Sequence, residues 1–258
     1  MGRGHSRLRR ACRVSLRNLW GNDAVTDPRI ALRLLCTLGL RGVLEEITPA
    51  LERRGLAFAP SYGATNVMLP RIAGGESADV AILTDVAIDG LVERGTLMAG
   101  SRRDLALSAI GIAVKAGAAR PDIGTPAAFR QAILAARSVA FSKSGASGVH
   151  FADLIARLGI AEEVNRKARV FDGVVGALAA KGEVEIAVQQ VSELKLVHGI
   201  DIVGVLPDAL QKVTVFSAGV FAASGRPAAA RVFIEALRTA DVAAVMRKQG
   251  LEPVVGTR

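Results

Sequence analysis

The seven residues Ser142-Lys143-Ser144-Gly145-Ala146-Ser147-Gly148 put three hydroxyls, one cation and two glycines into a single short turn. Ahead of them, Val139, Ala140 and Phe141 read as the end of a short buried strand. Behind them, Val149, Phe151, Ala152, Leu154, Ile155 and Leu158 recur at helical spacing, which predicts a helix from about Gly148. Small residues at a strand-to-helix turn leave backbone N–H groups uncovered, and the helix N-terminus adds partial positive charge. Such a turn accepts an anion, here through Ser144, Ser147 and the amides between them. The competing reading is that Ser144 or Ser147 simply caps its helix. Lys143 either steers an anion toward the turn or is a solvated loop lysine.

A second polar pair, Gln189-Gln190, directly follows the apolar strand Ile186-Ala187-Val188. Buried amides need partners, so at least one of the two is read as a ligand contact. An amide is a neutral donor and acceptor, suited to a carboxylate or hydroxy acid as much as to a tetrahedral oxyanion.

The elements that must position these groups follow a strand-helix rhythm. Ile30 to Cys36 reads as a buried strand, and Thr37-Leu38-Gly39 turns into a helix carrying Leu40, Val43, Leu44, Ile47 and Leu51. Leu56 to Pro60 is a second strand, followed by the turn Tyr62–Asn66 and a helix with Val67, Leu69 and Ile72. Ala78 to Leu83 is a third, and Thr84-Asp85 starts the next helix. That alternation predicts a parallel sheet, in which ligands collect beyond the carboxyl ends of the strands. Further strands are read at Ala109–Val114, Val139–Phe141, Arg169–Phe171, Ile186–Val188, Asp201–Val205 and Val213–Ala222, with helices closing the chain. A second α/β unit therefore repeats the first.

Composition agrees with that class. Half of the 258 residues are hydrophobic and only 4% are aromatic, so Ala, Val, Leu and Ile must build the interior. Residues 1–28 carry six arginines against Asp23 and Asp27, which is +4 of the net +9. No body run of Lys or Arg is interleaved with aromatics, so nucleic-acid binding is not expected. Cys12 and Cys36 form no framework, and His5, His150 and His198 are too scattered for a metal cluster. No apolar run reaches the length of a membrane span, and the basic segment 1–28 lacks the apolar core of an export signal. It reads as a leader outside the fold or as a translated stretch ahead of the true start.

Ala78-Asp79-Val80-Ala81-Ile82-Leu83, the Gly63–Asn66 turn, Ser144–Gly148 and the closing Leu251-Glu252-Pro253 carry a resemblance in their order and spacing. Over Ile30 to Pro253 the chain resembles an extracytoplasmic solute-binding protein of the molybdate-type group. The resemblance implies a type II periplasmic-binding fold: two lobes, each a mainly parallel sheet flanked by helices, joined by two crossover strands near Ser108–Val114 and Val215–Ala222. Residues 29–108, completed by 222–258, would form one lobe and 109–221 the other. A small anion would sit between them, held by Thr37, Leu38, Gly39, Ala64 and Thr65 from the first lobe and Ser144, Ser147 and Gln189 from the second. It also implies a monomer in the periplasm that serves the permease of an ABC transporter, without metal or cofactor.

The departures from that pattern are chemical. Molybdate binders typically place serine where Thr37 stands, a serine-rich turn at Tyr62–Thr65, and a tyrosine where Gln189-Gln190 follows its strand. Val188–Leu194, with Ser138–Gly148, is also similar to a branch containing aconitate isomerase, which moves a proton and a double bond within a tricarboxylate. Such chemistry needs a base beside the substrate carbon. The nearby titratable residues are Asp85, Lys143, Glu193 and His150, of which Lys143 and Glu193 are the catalytic candidates. Against those roles, Asp85 reads as a helix cap, His150 as a packing or surface histidine, and Glu193 as facing solvent. Tyr62 either lines the cleft or plugs the end of its strand. Binding without turnover is the expected behaviour.

Overall fold

The computed structural model describes residues 31–254, so the N-terminal segment and its cysteine, Cys12, lie outside the described residues. In the first half of the chain, strands β1 (Leu32–Thr37), β2 (Phe58–Gly63) and β3 (Val80–Thr84) alternate with helices α1 (Arg41–Glu52), α2 (Thr65–Ala73) and α3 (Asp85–Glu93). β1 pairs in parallel with both β2 and β3, as the rhythm predicts. Thr48-Pro49 does not end α1, because the Thr48 hydroxyl donates to Leu44 O at 2.7 Å and the helix runs on to Glu52.

Strand β4 (Arg103–Ser108), which the sequence reading missed, ends the first passage through this sheet. Its opening pair Arg103-Asp104 hides the strand behind two charges. The chain then crosses at Ala109 into β5 (Ile110–Lys115) and a second sheet. That unit adds α4 (Pro126–Ala135), β6 (Val139–Ser142), α5 (Ala146–Arg157), α6 (Ala161–Arg166), β7 (Ala168–Phe171), α7 (Gly176–Lys181), β8 (Ile186–Gln190), α8 (Val191–Leu194) and β9 (Ile200–Val205). Helix α5 starts two residues earlier than the apolar periodicity suggests, because Ala146 and Ser147 belong to its first turn.

The return crossing strand falls where Val215–Ala222 is expected. β10 (Thr214–Val220) already lies in the first sheet, antiparallel to β3 and β4, so residues 211–213 form the second connection. Residues 214–221, assigned above to the second unit, therefore belong to the first. Helices α9 (Pro227–Ala236) and α10 (Ala240–Lys248) and strand β11 (Leu251–Pro253) complete it. The sheets run β11-β4-β10-β3-β1-β2 and β7-β6-β8-β5-β9. Both are mixed: strands of the βα rhythm are parallel, and the crossing strands β5 and β10 run antiparallel to their neighbours.

Each sheet is covered on both faces, which is why its strands read as continuous apolar runs. In β1 the side chains alternate: Leu34 and Cys36 pack with Val43, Leu44 and Phe233, and Leu35 packs with Met68, Ile88 and Leu91. In the second sheet Ile112, Phe141 and Val188 meet Phe151 and Ile155, while Ala113, Ala140 and Ala187 form a thinner face against Val175 and Ala179. Asp79, 5% exposed, ties the first sheet to the chain's end. It accepts from Arg33 N at 2.8 Å, Ser224 Oγ at 2.7 Å and Arg226 Nη2 at 2.7 Å.

Candidate functional site

The parallel registers bring the strand ends together. Thr37 is opposite Gly63 at the ends of β1 and β2, and Ser142 is opposite Phe171 at the ends of β6 and β7. Chain leaving those ends, with Thr84 closing β3 and Gln190 closing β8, lines a cleft of about 240 Å³ between the two units. That volume is below the range typical of drug-sized pockets, so it suits a small ligand.

From the first unit the cleft receives Thr37, Leu38, Tyr62, Ala64, Thr65 and Thr84, with the Phe216 ring beneath them. Ala64 precedes α2 and offers no side-chain cap, so the first N–H groups of that helix stay available to a ligand. Thr65 Oγ1 accepts from Thr84 N at 3.3 Å, which fixes the two turns against each other. Gly39, expected above as a contact, is buried instead and its N–H donates to Thr37 Oγ1 at 3.3 Å. A Cβ there would come within 2.5 Å of the Phe216 ring, so the glycine admits the floor of the cleft rather than the ligand. Tyr62 lines the cleft, with Arg41 5.7 Å from its ring centre. Burial, first among several causes, holds its hydroxyl well above the ordinary tyrosine pKa.

The second unit contributes Ser142, Ser144, Gly145 and Ala146, then Asp172 and Gly173, then Gln190 and Glu193. Gly145 gives α5 no side-chain cap, so this helix too opens its first amides to the cleft. Ser147 is 1% exposed and lies off the lining. Lys143 is exposed and also off the lining, so the turn's cation does not enter the cleft. His150 is buried and its Nε2 lies 2.8 Å from Leu210 O, a packing arrangement away from the site. Gly148 explains the shape of the turn: a Cβ there would fall 1.7 Å from Ser142 O.

Gln189 and Gln190 point to opposite sides of β8. Gln189 is fully buried and does not line the cleft. Its Oε1 accepts from Val175 N at 2.8 Å, and its Nε2 donates to Gly173 O at 2.9 Å and to Glu193 Oε2. Gln190 lines the cleft and holds both connections between the units. Its amide is assigned by the groups around it, with the nitrogen toward Ala109 O at 3.0 Å and Ser108 Oγ at 2.8 Å and the oxygen accepting from Thr214 Oγ1 at 2.9 Å. Gln211 adds a two-way clamp on Ile110, with both bonds at 3.0 Å.

Glu193 does not face solvent as the sequence suggests. Helix α8 turns it into the cleft wall, where it is half-buried. Desolvation by burial pushes its pKa up to about 7, and the Gln189 hydrogen bond opposes that shift only in part. Asp172 is the residue that sequence reasoning missed. The signal was available, since Asp172 directly follows a strand end in the same sheet as Ser142. Among the described residues lining the cleft, Asp172 and Glu193 are the charged ones, and none is Lys or Arg. No group of three or more His, Cys, Asp or Glu among the described residues is placed to hold a metal ion.

The family model described as bacterial extracellular solute-binding protein matches residues 32–252. The chain belongs to that family. Within reach of this solute-binding protein by sequence is the aconitate isomerase of a Pseudomonas species, 40% identical over 236 residues that cover 88% of this chain and 90% of that enzyme. The fold is shared with the periplasmic molybdate-binding protein of Azotobacter vinelandii, at TM-score 0.73 and 17% identity, covering 88% of this chain and all of that one (100%). A sulfate-binding protein of Mycobacterium tuberculosis matches at TM-score 0.67 and 16% identity, covering 87% of each chain. This solute-binding protein thus has the two-sheet periplasmic-binding architecture.

Proposed function

We propose that the cleft captures a small organic polycarboxylate and that, as a solute-binding protein, the molecule hands it to the permease of an ABC transporter outside the cytoplasm. The observation that carries this reading is the pairing of two uncapped helix N-termini, α2 and α5, on one cleft that Glu193 also lines. The amides and the hydroxyls of Thr37 and Thr65 bind carboxylate oxygens. Glu193, half protonated near pH 7, donates a hydrogen bond to a further ligand oxygen. The relationship to aconitate isomerase supports an organic acid over an inorganic ion. Calorimetry with cis-aconitate, trans-aconitate and citrate tests it: binding by at least one is expected, and no heat with any at millimolar concentration overturns it.

A second reading rests on the same carboxyl. A base whose pKa lies near ambient pH is matched to general acid–base work. In its ionised form Glu193 would take an allylic proton from one carbon of an aconitate. The electron pair shifts the double bond by one position, and the same carboxyl returns the proton to the far carbon of the three-carbon unit. Proton NMR of wild type with either aconitate in deuterated water separates the readings. Interconversion of the two aconitates, with or without deuterium uptake, that is lost in Glu193→Gln supports isomerisation; unchanged ligand supports capture alone.

A further inference from the structure

The turn that the sequence offers to an anion already holds one. Because Ser142 pairs with Phe171, the loop after β7 lies beside the turn after β6. Asp172 Oδ1 accepts there from Ser144 N at 3.0 Å and from the Ser144 hydroxyl. The neighbouring Gly145 N–H donates to Ser142 Oγ at 2.9 Å. Two backbone donors of the turn and one hydroxyl are thus engaged within the protein, and one acceptor carries a full charge. A carboxylate in this place both occupies the two Ser144 donors and repels a second anion brought to the turn. No Lys or Arg among the described lining residues offsets it, and Glu193 adds another acid.

We propose that Asp172 is a specificity determinant. It closes the Ser144 N–H and hydroxyl to fully ionised inorganic oxyanions and offers its own oxygen, beside the open α5 amides, to a ligand group that itself donates a hydrogen bond, a hydroxyl or a protonated carboxyl. Both bonds from Ser144 fall on Oδ1, which leaves Oδ2 to accept from that group. The inference rests on the organic-acid reading of the cleft and sharpens it. On this proposal a chain with the fold of molybdate- and sulfate-binding proteins would reject their ligands through a repulsive group as well as select its own through attractive ones.

Titration calorimetry on the full chain tests this with sodium molybdate, sodium sulfate, cis-aconitate and citrate, whose hydroxyl supplies the donor, for wild type, Asp172→Ala and Asp172→Asn. Citrate is expected to lose affinity in both variants. Circular dichroism establishes that each variant is folded. Wild type is expected to bind neither oxyanion below millimolar concentration. Asp172→Ala frees the Ser144 donors and should strengthen oxyanion binding at least about tenfold. Asp172→Asn, which keeps an acceptor and loses the charge, should gain a part of that; if Asp172→Ala does not fold, it decides by the same sign. Micromolar oxyanion binding by wild type, or no gain in a folded variant, overturns the role of Asp172. The cis-aconitate arm reports on the organic-acid reading separately, since its failure leaves the oxyanion comparison intact.

Discussion

Gln189 Nε2 donates to Glu193 Oε2 across the junction of β8 and α8, so a fully buried amide holds the one carboxyl in the cleft whose pKa lies near neutrality. The same amide grips the 173–175 loop through Gly173 O and Val175 N. Glu193 and the Asp172–Gly173 wall are therefore positioned by one side chain that does not line the cleft.

Glu193→Gln should change how stability depends on pH. In the unfolded chain this carboxyl titrates near 4.5, and in the fold at about 7. Between those values the folded state holds a proton that the unfolded state has released. The contribution of Glu193 is thus full below about pH 4.5 and is lost as pH rises to about 7. Urea unfolding at half-unit steps from pH 5 to 8 should show the variant gaining on wild type up to pH 7, then running parallel. A difference that does not vary with pH refutes this account of Glu193.

Gln189→Ala leaves Val175 N and Gly173 O without their buried partner. The expected loss is about 2–3 kcal/mol, measured by denaturant unfolding. Because the Gln189 bond lowers the Glu193 pKa, its removal should also move the Glu193 titration upward, read by carbon-13 NMR of the carboxyl. A downward shift would contradict the hydrogen bond as assigned.

Gln190→Ala tests the connection between cleft and crossing strands. Ser108, Ala109 and Thr214 lose a common partner, at a cost of about 1–3 kcal/mol in stability. Ligand affinity should fall by about tenfold or more, because the residue also lines the cleft. Unchanged affinity in a destabilised variant would restrict Gln190 to the hinge.

Gly148→Ala should be costly out of proportion to one methyl group. Its Cβ would meet the Ser142 carbonyl at 1.7 Å, and backbone cannot yield as a flexible side chain does. A loss of about 3 kcal/mol or more is expected, since the turn and the start of α5 must separate. Neutral behaviour in thermal unfolding would mean that the turn is softer than its packing implies.

The sequence by itself determined the α/β rhythm, the apolar strands and the rule that ligands gather at strand ends. Those follow from periodicity and burial over a few neighbours, and so Thr37, Leu38, Ala64, Thr65 and Ser144 were legible as lining residues. It did not determine which way a polar side chain turns once its strand is paired. Gln189 and Gln190 look alike in sequence, and only the second sheet sends one inward to Glu193 and the other to the cleft. Glu193 read as a surface residue because four residues of helix carry no amphipathic signal, and its burial comes from the packing of α8 at the junction of the two units. The Asp172–Ser144 contact spans 28 residues and exists only because β6 and β7 are neighbours in register. β10 likewise read as part of the second unit, and pairing with β3 and β4 alone returned it to the first. Local spacing sets which elements form; long-range pairing, through the registers it imposes, sets which side chains meet and what charge the cleft presents.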